Sequence, residues 1–253
     1  MLKDIATKEL LEAELIRRDS KDEISYEKPD PFLIASRYKD EYIALICALF
    51  AYGNAKAIVK FLDSLDFSLL DKSEDEIKEG LKNHYYRFQT SDDVIAIFIA
   101  MKKLKKLYKI EEIFYEGYKK ERNILDGLWL FIEKLQTIHP YSSDGYRFLT
   151  GSLPKNPKNA GTYKRYMMYL RWMVRISHTD LGLWSKIDKK DLLMPLDTHT
   201  FHLSLKLGLI KRKSYDMKAV VELTNKFREF DSSDPIKYDF ALYRLGQEKI
   251  IEK

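Results

Sequence analysis

The chain has 253 residues, 45% of them hydrophobic and 33% charged, and 44 basic against 39 acidic side chains leave a formal net charge of +5. That length can bury a substantial core, and the composition is that of an ordinary globular protein rather than a disordered one. Ten Gly and seven Pro are too few for the many turns of an all-β fold, and the one cysteine, Cys47, excludes an internal disulfide, a cysteine-rich zinc site and an iron–sulfur cluster.

In chain order, the first segment, MLKDIATKELLEAELIRRDS, spreads acids through a helical pattern and has no apolar signal core, so no secretion signal is expected. Within it TKELLEAELIRRD predicts an amphipathic helix. YIALICALFAY (42–52) falls short of the roughly 18 apolar residues of a membrane span and is read as a buried helix. Cys47 lies inside it as a small buried thiol, which fits a reducing cytoplasm. DVIAIFIAMKKLKKLY (93–108) puts Val94, Ile97, Phe98, Met101, Leu104 and Tyr108 on one helical stripe. NILDGLWLFIEKLQTI (123–138) does the same with Ile124, Leu128, Phe131, Ile132 and Leu135.

The clearest break is HPYSSDGYRFLTGSLPKNPKNAGTYK (139–164), rich in Pro, Gly, Ser and Asn. It reads either as a linker or as a functional loop, because long irregular stretches inside compact chains are seldom idle. From Gly145 to Thr179 there is no acid, while Arg147, Lys155, Lys158, Lys164, Arg165, Arg171 and Arg175 are basic. Such a run makes either a solvated face or a field for a polyanion. TYKRYMMYLRWMVRI (162–176) then predicts a helix with Tyr166, Leu170, Met173 and Ile176 on its apolar face. The apolar residues of FHLSLKLGLI (201–210) alternate as a strand would, but the preceding Pro-Leu-Asp-Thr favours a helix capped by Asp197. SYDMKAVVELTNKFREF (214–230) predicts another helix, with Asp216 as N-cap and Val220, Leu223 and Phe227 inward. About ten to thirteen helices are expected, and the class is all-α.

Lys164 falls in the first turn of its helix, with Met168, Arg171 and Arg175 on its own row. A cation at a helix N-terminus is disfavoured, and nearby positive charge with partial burial lowers a lysine pKa. At an ordinary pKa of about 10.4, only about one amine in 10³–10⁴ is free at pH 7; a lowered value would suit Schiff-base chemistry. The spacing alone favours a lysine that contacts phosphate or merely faces solvent. Asp197, followed by His199 and His202, is by itself a helix cap, a metal ligand beside the histidines, or a catalytic carboxylate.

A glycine-bearing loop leading to an early lysine, then PLDTH opening a helix 33 residues after that lysine, then a closing DFALYRLG helix, resembles the helix–hairpin–helix superfamily of DNA glycosylases. The spacing is similar to that of the archaeal-type 8-oxoguanine DNA glycosylases, which lack cluster cysteines, and KRYMMYLRWMVR, GLWSKI and DPIKYDFALYRLG are similar to a related bacterial family. The resemblance is specific from about Gly161 to Gly246 and weaker over 30–62. The superfamily's Leu-Pro-Gly-Val-Gly hairpin is replaced here by SLPKNPKNAGTY, so its backbone contacts are not carried over.

The resemblance implies one two-lobed helical domain over 1–253, with the hairpin, lysine and aspartate within 150–200. It implies a cofactor-free, bifunctional glycosylase and AP lyase of base excision repair, acting as a monomer on double-stranded DNA that contains a damaged base such as 8-oxoguanine. Lys164 would attack C1′ of a flipped nucleotide, and Asp197 would stabilise the charge developing on the sugar. Lys155, Lys158, Arg165 and Arg171 would hold the DNA backbone. Asp239 and Tyr243, one helical turn apart, would pair an acceptor with a stacking ring for the base, with Phe240 and Tyr52 as alternatives. Two other readings use the same residues: a non-catalytic helical DNA-binding protein, and a metal-dependent hydrolase built on Asp197, His199 and His202.

Overall fold

The computed structural model describes residues 2–156 and 160–247, with the side chains of Leu2 and Lys3 excepted. Among these residues there are thirteen α-helices, a few 3-10 turns and one two-stranded sheet, so the fold is all-α. The chain divides into two compact units, Ile24–Leu153 and Met1–Glu23 with Pro154–Lys253.

The unit Ile24–Leu153 holds α2 (Phe32–Tyr38), α3 (Glu41–Leu49), α4 (Ala55–Asp63), α5 (Glu74–Leu81), α6 (Ser91–Leu107), α7 (Ile110–Tyr118), α8 (Ile124–Ile138) and α9 (Asp144–Thr150). Its helices begin where side chains can take up free N–H groups. Asp40 accepts from Tyr42 N at 2.8 Å and Ile43 N at 3.0 Å, Asn123 accepts from Leu125 N at 2.9 Å, and capping boxes open α5 (Ser73 with Glu76) and α6 (Thr90 with Asp93). Residues 42–49 are all buried, as the apolar run predicts, and burial pushes the Cys47 thiol far above its ordinary range. Val94, Ile97, Phe98, Met101 and Leu104 form the buried stripe of α6, whereas Tyr108 caps the helix at the surface. α7 and α8 lie so close that a Cβ on Gly127 would come within 2.6 Å of the Phe114 ring. The segment 139–164 is not wholly irregular: Ser143 caps α9, accepting from Tyr146 N at 2.8 Å.

The other unit holds α1 (Leu2–Arg18), α10 (Lys164–Val174), α11 (Thr198–Leu207), α12 (Met217–Phe230) and α13 (Asp239–Gln247). Between α10 and α11, β1 (Ile176–Ser177) and β2 (Asp180–Leu181) pair antiparallel. This corrects the expectation for Ile176. The helix ends at Val174, Arg175 turns extended (φ −86°, ψ 153°), and Ile176 stands 87% exposed on the hairpin. The stretch from Phe201 to Leu207 is helical despite its alternating pattern. Gly208 (φ 74°) ends it, with Leu209 N bonded back to Ser204 O at 2.9 Å. Asp216 caps α12, accepting from Ala219 N at 3.1 Å, and Val220, Leu223 and Phe227 are fully buried. Among the described residues, no helix is long and apolar enough to cross a membrane.

Candidate active site

Lys164 is the first residue of α10, and the residue before it, Tyr163, has left-handed backbone angles (φ 47°, ψ 36°). A bulky residue there costs of order 1–3 kcal/mol, and such strain clusters at functional sites. Asp197 is the N-cap of α11: one carboxylate oxygen accepts from Thr200 N at 2.8 Å, which fixes the direction of the other. That second oxygen lies 3.3 Å from Lys164 Nζ, with the two side chains 29% and 18% exposed. Two helix starts, 33 residues apart in the chain, therefore present an amine and a carboxylate side by side, open enough for a ligand to reach. Burial works to raise the Asp197 pKa, but the Lys164 charge and the Thr200 bonds outweigh it, and the carboxyl lies below its ordinary value. It is an anion at neutral pH.

Tyr243, on α13, is half-buried with its ring centroid 5.9 Å from Lys164 Nζ, so it borders the pair. Asp239 is buried and its carboxylate is bound by Arg171; burial raises its pKa against the pull of Arg171 and Lys164. Phe240 is also buried, between the guanidinium groups of Arg171 (5.8 Å) and Arg244 (5.0 Å). Tyr52 belongs to the other unit, where it packs on Tyr86, Phe88 and Phe148.

The arginine row is corrected as well. Arg171 is 4% exposed; it donates to Asp180 Oδ1 at 2.9 Å, to Thr179 O at 3.3 Å and to Asp239. Arg175 is bound by Asp180 and, at 2.8 and 3.1 Å, by Asp234. Both positive charges are neutralised locally. Arg171 thus offers nothing to a DNA backbone, and two of the seven positive charges of the run 145–179, Arg171 and Arg175, are taken up by Asp180, Asp234 and Asp239. Lys155 is exposed and Arg165 is half-buried in the first turn of α10; Lys158 lies outside the described residues.

His199 and His202 are exposed. Among the described residues no three His, Cys, Asp or Glu side chains come together as a metal site would require, so Asp197, His199 and His202 do not form a donor set. Thr162 and Tyr215, which no sequence pattern singles out, stand next to the pair: Thr162 Oγ1 donates to Tyr215 OH at 3.1 Å, and Tyr215 OH donates to Leu196 O at 2.9 Å.

No curated protein and no solved structure matches this chain. Residues 30–248 match the family described as "Protein of unknown function (DUF2400)", and the chain, with its lysine–aspartate pair inside the matched span, belongs to that family.

Proposed function

We propose that the protein is a DNA glycosylase with AP lyase activity, excising an oxidised purine such as 8-oxoguanine through a Schiff base on Lys164. The observation that carries this reading is the 3.3 Å approach of Lys164 Nζ to Asp197 Oδ2, two residues in the same order along the chain as in the helix–hairpin–helix glycosylases that it resembles. In this scheme Lys164 first gives up its ammonium proton to solvent, and Nζ then attacks C1′ of a flipped nucleotide as the free amine. The N9–C1′ bond breaks, N9 keeps the electron pair and takes a proton, and the sugar ring opens to an imine on Nζ. Loss of a C2′ proton then expels the 3′ phosphate, and water releases the lysine. Asp197, held by Thr200 N–H, stabilises the positive charge that builds on the sugar before the new bond is complete.

Borohydride reduces such an imine to a stable secondary amine. The expected result is a covalent adduct of the wild-type protein with 8-oxoguanine or abasic DNA, and none with Lys164→Ala. Absence of a wild-type adduct, or an equal adduct with the variant, overturns the assignment; salt-sensitive DNA binding unchanged by Lys164→Ala would then leave a non-catalytic binder. Asp197→Asn is expected to keep DNA binding and to slow base release by about 10²–10³-fold, the scale of a lost electrostatic partner.

A further inference from the structure

The segment ahead of α12 touches both halves of the lysine–aspartate pair. On one side it meets the chain leading into α10: Met217 N donates to Ala160 O at 3.0 Å and Thr162 Oγ1 donates to Tyr215 OH at 3.1 Å. On the other it meets the turn that presents the aspartate: Tyr215 OH donates to Leu196 O at 2.9 Å, and its ring packs edge-on against Phe201, 5.6 Å between centroids. Thr162 is two residues before Lys164, and Leu196 is the residue before Asp197. The two hydrogen bonds run head to tail through one phenol oxygen, so each polarises the next. Arg212 makes a bidentate pair with Asp216, the N-cap of α12, within the same segment.

We propose that Tyr215 is a positioning residue that sets the spacing of Lys164 and Asp197 by tying the segment ahead of the lysine to the segment ahead of the aspartate. It does not need to touch the substrate. Its phenol is the one group bonded to both chain segments in this chain of contacts, and α10 itself starts from a strained Tyr163 with no side-chain cap bond. The consequence for catalysis rests on the lysine chemistry proposed above; the tie itself does not.

The test uses Tyr215→Phe, which keeps the ring on Phe201 and removes both hydrogen bonds, together with Thr162→Val and the double variant. Under saturating abasic DNA, Tyr215→Phe is expected to slow formation of the borohydride-trapped adduct by about tenfold or more, as small misplacements of reacting groups do, with DNA affinity unchanged. Because the bonds form one chain, the double variant should be no slower than Tyr215→Phe alone. Amide hydrogen exchange, which needs no catalysis, should quicken at both 160–166 and 196–201. An unchanged trapping rate in an active wild-type background, or additive effects of the two substitutions, overturns the proposal. If the wild type forms no adduct, the glycosylase reading fails and exchange alone decides the tie: quickening at both segments upholds it, and quickening at neither or only one overturns it.

Discussion

The two units bury different things. In Ile24–Leu153 the core is apolar, and among its described charged residues only Asp93 is deeply buried, satisfied by Thr90 N–H at 2.8 Å, Tyr141 OH at 3.2 Å and Ser143. The other unit buries Glu14, Arg18, Glu23, Arg171, Arg175, Asp180, Asp234, Asp239 and Arg244. They form linked sets: Arg18 joins Glu14 to Glu23, which in turn binds Arg244 at 3.0 Å, while Asp180 bridges Arg171 and Arg175. Such networks add little net stability over well-packed apolar residues, but losing one member strands a charge. Their directional bonds instead fix how α10, the hairpin and α13 meet, and the lysine–aspartate pair lies in the unit built this way. The comparison teaches that this unit's geometry is held by bonds with direction, its neighbour's by volume.

Substitutions can break that contrast. The largest effects are expected from one deletion of each kind. Asp180→Ala leaves two guanidinium groups short of a partner and should cost about 3–5 kcal/mol; Phe98→Ala in the apolar core should cost about 3–5 kcal/mol through the cavity it leaves. Urea unfolding gives both magnitudes, and hydrogen exchange gives their location. The contrast fails if Asp180→Ala costs under about 1 kcal/mol, since the network would then be hydrated rather than buried.

A smaller effect is a pH dependence. Asp231 is held far below the ordinary carboxyl range, first by Lys237 at 2.9 Å and then by Ser233. A depressed folded-state pKa contributes stability above the unfolded value of about 3.9 and loses it as pH falls through the folded value. Asp231→Asn should therefore lower stability at neutral pH and converge with wild type in strong acid. Parallel stability–pH curves would contradict this. The smallest effect should come from the exposed Glu116–Lys119 pair of the apolar unit: Lys119→Ala should change stability by no more than about 0.5 kcal/mol, and a larger change in the unfolding midpoint would mean that surface charge matters there too.

What could be read from the sequence follows from the range of each interaction. Helix periodicity and capping are local, so the stripes of α6, α8 and α12 and the caps Asp197 and Asp216 were legible in consecutive residues. The lysine–aspartate pair was legible only as a pattern of order and spacing, since its 3.3 Å contact joins two separate helix starts. The arginines misled because their row was visible and their partners were not: Asp234 and Asp239 lie 59 and 68 residues further on. Ile176 continued the helical period, but the pairing of Arg175 with Asp180 and Asp234 accompanies an early turn that a periodic count cannot see. Tyr215 gave no signal at all, because both of its hydrogen bonds are to groups brought close only by the folded chain.

Cys47 has a practical consequence. It is the only thiol in the sequence and is fully buried, with its ionisation suppressed, so thiol reagents will pass it over in the folded protein. A single cysteine introduced at an exposed position such as Tyr85 would then be the sole site taken by a maleimide dye or a nitroxide label. The native core can stay as it is, and Cys47→Ser, which would place a hydroxyl among apolar side chains, is unnecessary.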